Sequence, residues 1–388
     1  MYIPYGKQEV TQDDIDAVIE TLKSDFLTQG PKVVEFENKI KKYCNSDHSV
    51  AFNSATSALH AACFSLELGP GDYLWTSPIT FVASANCALY CGANIDFVDI
   101  NPKTFNMCES KLEAKLKQAE KEGKLPKIVI PVHLAGQSCN MKAIYDLSQK
   151  YGFKIIEDAS HAIGGKYLNE NIGNCKYSDI TIFSFHPVKI ITTGEGGMAL
   201  TNNSEINITL KNFRTHGITR EERLMKNNIH GSWYYEQINL GFNYRISDIQ
   251  AALGISQLNR LDSYVQKRHK IAKKYDELFK NNSNIFHQKQ MSECYSAYHL
   301  YIINLDTMNL KINHKDVFEE LRKRQIGVNI HYIPVHLHPY YKDLGFKKGD
   351  LPQSEDYYSK AISLPIFPTI TENEQDMVVN SLNEIINC

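Results

Sequence analysis

One lysine of this sequence stands in a setting that suits covalent chemistry. Lys189 follows the apolar segment 180–185 and precedes two isoleucines and the glycine-rich turn 193–197. Burying an ammonium group among apolar residues is costly and lowers the pKa of the amine. A neutral, positioned amine is the group that forms a Schiff base with an aldehyde. The alternative for this segment is a lysine whose stem is buried while its amine reaches solvent.

A second candidate group is a carboxylate at the end of a predicted strand. The segment 154–156 leads into Glu157 and Asp158, and His161 follows three residues later. Ligands gather at the carboxyl ends of strands in sheets that helices flank. An aspartate there can keep a pyridinium nitrogen protonated, so that the ring serves as an electron sink, and His161 can donate to a phenolic oxygen. Asp158 can equally be the N-cap of the following turn.

Small hydroxyl residues open a helix directly after the first predicted strand, in the segment 53–58 (NSATSA). The free N–H groups and the dipole of a helix start favour an anion such as phosphate, although simple capping explains the same residues. Phe81 follows the next strand and offers a face for a flat cofactor, or a core contact. An amine, a strand-end carboxylate, a phosphate cradle and a stacking ring are together the parts that a pyridoxal phosphate enzyme needs.

Short apolar runs separated by amphipathic segments must position these groups. The helical patterns include 57–68 and 141–151, and the predicted strands are 49–52, 73–76, 95–98, 128–132, 154–156 and 180–185. Strands that are apolar on both faces and alternate with helices are typical of a mostly parallel sheet covered by helices on each side. We therefore predict an α/β fold for the first half of the chain.

The pattern changes in the second half. A long helical pattern runs over 246–279, and beyond it we predict strands at 298–305 and 327–332 and helices at 314–325 and 372–386. The predicted division is a large α/β domain with an N-terminal arm (1–245), a long connecting helix (246–282) and a smaller α+β domain (283–388).

Composition excludes several classes of function. The 388 residues include 42 Lys and Arg against 44 Asp and Glu, a net charge of −2, so no positive field would gather nucleic acid or a membrane surface. No apolar run approaches the length of a membrane span. The N-terminal residues do not read as a secretory signal, and the 9 scattered cysteines predict free thiols rather than disulfides or a metal site. We predict a cytoplasmic protein that binds no metal.

Several motifs in register resemble the sugar aminotransferases of the DegT/StrS family. They are FSFHPVK at 183–189, TGEGG at 193–197, DASH at 158–161, NSATSA at 53–58, GFNYR at 241–245 and LTQGP at 27–31. The resemblance covers nearly the whole chain. It implies an aspartate-aminotransferase-like fold of type I, pyridoxal 5'-phosphate as cofactor, and a homodimer whose active sites are built from both subunits.

The same resemblance implies roles for individual residues. Lys189 matches the lysine that holds the cofactor and moves the proton, Asp158 the partner of the ring nitrogen, and His161 the neighbour of the ring hydroxyl. Phe81 matches the stacking ring. The remaining cofactor contacts match Ala55, Thr56, Ser184 and, reaching over from the neighbouring subunit, Asn243.

Within the family, the HPVK form of the lysine motif and the run SWYYE at 232–236 are most similar to one group of transaminases. That group makes UDP-4-amino-4,6-dideoxy-N-acetyl-β-L-altrosamine on the pseudaminic acid route. The implied reaction transfers an amino group from L-glutamate to the C4 ketone of a UDP-linked 4-keto-6-deoxy-N-acetylhexosamine. The alternative is a 4-aminotransferase for a dTDP- or GDP-linked sugar or for the D-sugar epimer, because such relatives differ by few residues.

Two other classes remain as competing hypotheses, a sugar dehydratase and a non-catalytic relative. Dehydratases of the family carry histidine at the position of Lys189, so the lysine favours transamination. The candidate substrate residues are Thr28, Arg214, His331 and Tyr332. Arg214 could neutralise a carboxylate or a diphosphate, whereas His331 and Tyr332 could face the cleft or simply pack in the core.

Overall fold

The computed structural model describes residues 2–387. Its helices are α1 (Gln12–Leu22), α2 (Pro31–Cys44), α3 (Ala55–Ser65), α4 (Ala83–Tyr90), α5 (Glu109–Glu122), α6 (Met141–Tyr151), α7 (Ser204–Arg214), α8 (Asp248–Leu258), α9 (Leu261–Phe279), α10 (His314–Lys323), α11 (Pro339–Asp343), α12 (Pro352–Tyr358) and α13 (Glu372–Asn387). Its strands are β1 (His48–Phe52), β2 (Tyr73–Thr76), β3 (Asn94–Phe97), β4 (Ile128–Ile130), β5 (Lys154–Asp158), β6 (Lys166–Tyr167), β7 (Glu170–Asn171), β8 (Ile180–Ser184), β9 (Gly197–Thr201), β10 (Ile218–Thr219), β11 (Glu236–Gln237), β12 (Ile285–His287), β13 (Cys294–Tyr295), β14 (Tyr301–Leu305) and β15 (Ala361–Leu364).

Seven strands form the main sheet in the order β1-β9-β8-β5-β4-β2-β3. The strands from β8 to β3 pair in parallel, while β9 runs antiparallel to both of its neighbours. The prediction of a mostly parallel sheet is therefore confirmed. Strand β9 was missing from the prediction because its first residue, Gly197, belongs to the glycine-rich segment that reads as a turn.

Helices cover both faces of this sheet. Alternate residues of β4 point to opposite sides, so that Ile128 joins the core under α3, α4 and α7, while Val129 joins the core under α5 and α6. On that second side, α2 packs on β8 and β9 through Phe36. This burial on both faces explains the apolar runs of the sequence. Within residues 2–387, no helix combines the length and the hydrophobicity that a membrane crossing requires.

A second, antiparallel sheet has the order β12-β14-β15. Its core contains side chains from α9, α10 and α13 and also Ile3, from the beginning of the chain. Ile3 reaches this core because its N–H donates to the carbonyl of Gln325 (2.9 Å) and its carbonyl accepts from Gly327 (2.6 Å). The N-terminal arm is thus attached to the C-terminal part of the chain. The domain boundaries proposed from the sequence stay a prediction.

Two predicted elements differ from the structure. The helical stretch 246–279 contains two helices, because Arg260 leaves the helical conformation (φ −108°, ψ 0°) between α8 and α9. Its guanidinium binds Asp14 of α1 at 2.6 Å. The predicted strand at 327–332 does not form. Only Asn329 makes a ladder contact there, with Ser363, and the segment becomes a loop instead.

Candidate active site

A cavity of about 590 Å³ opens where β5 and β8 end and α3 begins. It lies at the carboxyl ends of parallel strands, the position where open α/β sheets bind ligands. The loop 329–332 and the N-terminal arm close it from the other part of the chain. The predicted site residues that line it are Ala55, Thr56, Phe81, Asp158, His161, Ser184, Lys189, His331 and Tyr332.

Lys189 lies in the turn between β8 and β9 and extends its amine into the cavity wall. Its backbone N–H donates to the carbonyl of His186 (2.9 Å), which fixes the turn. Burial of the amine lowers its pKa to about 8, and the Asp158 carboxylate acts in the opposite direction. About a tenth of the lysine is therefore neutral, nucleophilic amine at pH 7, against less than about a thousandth for an ordinary lysine, and chemistry with an aldehyde requires that form.

Asp158 is the last residue of β5 and is almost fully buried. One carboxylate oxygen accepts a hydrogen bond from Ser84 Oγ (2.6 Å), and the other accepts from the N–H of Ser160 (3.1 Å). The Ser84 hydroxyl is itself paired with Thr80 Oγ1 (2.7 Å). Two bonds leave lone pairs unused on a carboxylate that lines a cavity. Asp158 can therefore accept a further N–H from a ligand ring.

His161 is held as a neutral imidazole. Burial lowers its pKa well below the usual value, and the positive charge of Lys189 adds to the effect. The N–H of Ala135 donates to Nδ1 (3.3 Å), which leaves the ring proton on Nε2. That nitrogen faces the Tyr332 hydroxyl at 3.0 Å, and the ring of His299 lies 4.4 Å away, centre to centre. His161 is thus a preset hydrogen-bond donor.

The start of α3 forms a cradle for an anion. Ser54 caps the helix by accepting from the N–H of Ser57 (3.1 Å), while the N–H groups of Ala55 and Thr56 have no acceptor within the helix. Gly197 of β9 passes directly behind them, since a Cβ on this residue would lie 2.5 Å from the nitrogen of Ala55. The close approach of β9 explains why a glycine stands here. With Ser184 beside it, this helix start suits a phosphate group.

Phe81 keeps 60% of its surface exposed although it lines the cavity. Its ring and that of Tyr332 lie 6.4 Å apart, centre to centre. An aromatic face left open in a cavity is available to a flat ligand.

Three predicted residues lie outside the cavity. Arg214 pairs with Glu37 (2.6 Å) and donates to the carbonyl of Ala51 (2.7 Å), so its charge is used in holding α7 against β1. Thr28 is exposed and bridges to Ser247, and Asn243 is exposed and bridges to Thr215. Exposure of Asn243 is compatible with its expected contact across a subunit boundary.

The sequence patterns do not identify three further residues of the cavity wall. Tyr5, His299 and Asn329 all contribute to the wall. Tyr5 belongs to the N-terminal arm, and nothing local in its segment indicates a ligand. His299 is the second residue of the predicted strand 298–305, where its neighbours suggest only a core role.

The fit of this cavity to pyridoxal 5'-phosphate can be judged from the groups present. The cradle at Ala55 and Thr56 suits the phosphate, the spare acceptor capacity of Asp158 suits the ring nitrogen, and the neutral amine of Lys189 suits the aldehyde. The fold and the site together define a pyridoxal-phosphate-dependent enzyme of fold type I. More particularly, the chain belongs to the DegT/DnrJ/EryC1/StrS aminotransferase family, whose model matches residues 8–383.

Similar proteins agree with this assignment. A UDP-4-amino-4,6-dideoxy-N-acetyl-β-L-altrosamine transaminase of Campylobacter jejuni is 38% identical over 99% of this chain and 97% of its own. Among solved structures, the Helicobacter pylori aminotransferase PseC, involved in the biosynthesis of pseudoaminic acid, has a TM-score of 0.91 with 31% identity, and 100% of each chain is covered. A Streptococcus pneumoniae protein assigned as a sugar aminotransferase, in its PLP form, has a TM-score of 0.88 with 29% identity, covering 100% of this chain and 99% of that one. The predictions of fold class, aminotransferase activity and cofactor are confirmed.

Proposed function

We propose that this protein is a nucleotide-sugar 4-aminotransferase. It moves an amino group from L-glutamate to the C4 ketone of a UDP-linked 4-keto-6-deoxy-N-acetylhexosamine, and the product is UDP-4-amino-4,6-dideoxy-N-acetyl-β-L-altrosamine. The observation that carries the proposal is that one cavity joins Lys189, Asp158 and the α3 cradle, in a chain 38% identical to a transaminase named for that product. Lysine at position 189 also favours transamination over dehydration.

The residues of this chain divide the work of the reaction. When bound, pyridoxal phosphate supplies an electron sink for the charge that develops on the carbon losing its proton. Asp158 holds the proton on the ring nitrogen, and the α3 cradle with Ser184 holds the phosphate. The Lys189 amine, with its pKa of about 8, takes up and returns the proton in both half-reactions. Phe81 covers one face of the ring.

We further propose that the working unit is a homodimer with shared sites. Among the described residues that line the cavity, Lys189 is the only lysine or arginine, yet both substrates are anionic and call for cations. The segment that leads to Asn243 exposes large apolar side chains, since Trp233 is 71% and Leu240 74% exposed. A second copy that covers this surface would bring Asn243 to the phosphate of its partner's cofactor and exclude water from it.

The test of the function is a glutamate-dependent assay with UDP-, dTDP- and GDP-linked 4-keto-6-deoxy sugars. We expect the holoenzyme to lose its visible cofactor band on adding glutamate and to regain it on adding the UDP-linked sugar, with NMR showing the L-altro product. A preference for a dTDP- or GDP-linked sugar would refute the substrate and leave the enzyme class. Full turnover by a Lys189→Ala variant would refute the class itself.

A further inference from the structure

Arg268, in α9, is a buried cation with no acidic partner among residues 2–387. It is 1% exposed. Its Nη1 group donates to the carbonyls of Tyr298, His299 and Ile366, each at 3.1 Å, whereas Nε is buried without a partner. Burial lowers the pKa of the guanidinium to about 10, so the group stays charged at neutral pH. A buried charge without a counter-ion is costly, and no role described above accounts for it.

The bonds of Arg268 hold His299 in the wall of the cavity. On the opposite side, His299 packs against the turn that contains Gly136. A Cβ at Gly136 would lie 3.1 Å from the nitrogen of His299 and 3.0 Å from the carbonyl oxygen of His161. The two imidazole rings are 4.4 Å apart, centre to centre, and both line the cavity. His299 is therefore fixed beside His161 by contacts from both parts of the chain.

The ring of His299 offers one nitrogen to a ligand. Nδ1 is buried without a hydrogen-bond partner, whereas Nε2, which no residue of the described chain binds, is not fully buried. Burial holds the pKa of the ring well below its usual value, and the charges of Lys189 and Arg268 act in the same direction, so the imidazole is neutral. A proton on Nε2 leaves only a lone pair unpaired at Nδ1, and buried acceptors without a partner are less rare than buried N–H groups. Nε2–H is thus a donor without an acceptor.

A donor with a cation behind it suits an anion, because the charge is little screened in a buried setting. Lys189 and Asp158 mark where the reacting carbon must lie. The anionic group closest to that carbon is the α-carboxylate of the amino donor. In the proposed amino acceptor, the diphosphate is attached at C1, on the opposite side of the sugar ring from C4. The place of His299 beside His161 therefore favours the α-carboxylate.

We propose that Nε2–H of His299 binds the α-carboxylate of the amino donor, and that Arg268 is the positioning residue that holds His299 and supplies positive charge behind it. The inference deepens the proposed function and rests on it, because it takes an α-amino acid as the donor. It gives the carboxylate a place within one chain, although Lys189 is the only lysine or arginine among the described residues that line the cavity.

The experiment titrates the holoenzyme with amines in the absence of any sugar and follows the cofactor band. L-Glutamate carries both carboxylates, L-2-aminobutyrate only the α-carboxylate, and 4-aminobutyrate only the distal one. In His299→Leu, the concentration that gives half of the spectral change should rise about 10- to 100-fold for the first two amines, the effect of a lost hydrogen bond to a charged group. For 4-aminobutyrate it should stay within twofold. His299→Gln, which keeps an N–H donor, should restore most of the affinity.

Two further sets of variants separate a carboxylate contact from a structural role. His269→Leu is the matched control and should resemble the wild type, because His269 binds the carbonyl of Ser296 and does not line the cavity. Arg268→Met, which removes the charge, should weaken L-glutamate and L-2-aminobutyrate more than Arg268→Lys, which keeps it. Neither should change the response to 4-aminobutyrate. If Arg268→Met does not fold, the His299 variants and Arg268→Lys decide the test.

An unchanged response to L-glutamate in a folded His299→Leu variant, or an equal weakening of all three amines, would overturn the assignment. Weakening of 4-aminobutyrate alone would move the contact to the distal carboxylate and overturn it as well. A wild type that prefers another α-amino acid refutes glutamate as the donor and leaves this test, which L-2-aminobutyrate still decides. A wrong sugar nucleotide has no effect on it. A wild type whose band responds to no α-amino acid overturns the proposed function first and this inference with it.

Discussion

At the scale of single residues, the burial of Lys189 sets the pH at which the site can be loaded. Its pKa of about 8 lies below the usual 10.5, so the neutral amine predominates above pH 8 and falls about tenfold per pH unit below it. The rate at which pyridoxal phosphate binds covalently to the apoprotein should therefore rise with pH and level off above pH 8. Stopped-flow absorbance measures this rate. A rate that still climbs steeply at pH 10, as with a free lysine side chain, would contradict the lowered pKa.

Two adjacent carboxylates of β5 offer a matched comparison. Asp158 lines the cavity, whereas Glu157 points to the other face of the sheet and binds His133 Nε2 (2.7 Å) and Thr181 Oγ1 (3.0 Å). Asp158→Asn should lower kcat by roughly 100-fold, because a buried charge that stabilises the developing charge is lost. Glu157→Gln should leave kcat unchanged and lower the unfolding free energy by about 1.5–3 kcal/mol, the value of a hydrogen bond to a charged group.

Steady-state rates and thermal melts distinguish the two carboxylates. Equal losses of kcat in both variants would mean that the charge of the strand end acts as a whole, and not through Asp158 alone.

At the scale of elements, the packing of β9 against the start of α3 controls the cradle. Gly197→Ala would place a methyl group 2.5 Å from the nitrogen of Ala55, and the overlap should cost about 1–3 kcal/mol and displace the helix start. We expect the Kd for pyridoxal phosphate to rise at least tenfold, as measured by titrating the apoprotein. Gly69→Ala is the control, since a Cβ there meets no atom within 4 Å. An unchanged Kd in Gly197→Ala would show that the cradle tolerates the shift.

Elements with clear local signals were predicted well. The helix expected at 141–151 matches α6, because Asn140 caps its start and Gly152, at φ 78°, ends it. The break between α8 and α9 is less visible, since it depends on a contact of Arg260 with Asp14, about 250 residues earlier. The segment 327–332 alternates the apolar Val328 and Ile330 with polar residues, as a strand does, yet only Asn329 finds a ladder partner. In both places, the break between α8 and α9 and the segment 327–332, the local structure depends on contacts with segments that are distant in the sequence.

At the scale of the whole molecule, the proposed exchange of Asn243 between subunits can be tested by mixing two inactive variants. Lys189→Ala lacks the amine, and Asn243→Asp places a negative charge where the phosphate is expected. If the site takes these residues from different chains, mixed dimers contain one intact site, and a random 1:1 mixture should recover about a quarter of wild-type activity. Activity is measured after unfolding and refolding the chains together. No recovery, with mixed dimers verified by mass spectrometry, would contradict the shared site.

The same distinction of local and distant contacts explains which site residues the sequence could indicate. Lys189, Asp158 and the cradle follow strand ends, so the chemistry of each is written in a few neighbouring residues. Tyr5 acquires its position from segments more than 300 residues away, and no local pattern marks it. Arg214 shows the converse, because the sequence suggests a cation for an anionic substrate, whereas in the structure its charge pairs with Glu37 and holds the fold together.

The attachment of the N-terminal arm has a consequence for the order in which the protein is completed during synthesis. The cradle, Asp158 and Lys189 all lie in the first half of the chain, so the ribosome has made the cofactor side of the cavity early. Tyr5 is among the first residues to emerge from the ribosome. Its carbonyl, however, accepts a hydrogen bond from the N–H of Ile366, which is synthesised near the C-terminal end of the chain. The nascent chain can therefore form the pyridoxal phosphate side of the cavity long before Tyr5 can take its place in the opposite wall.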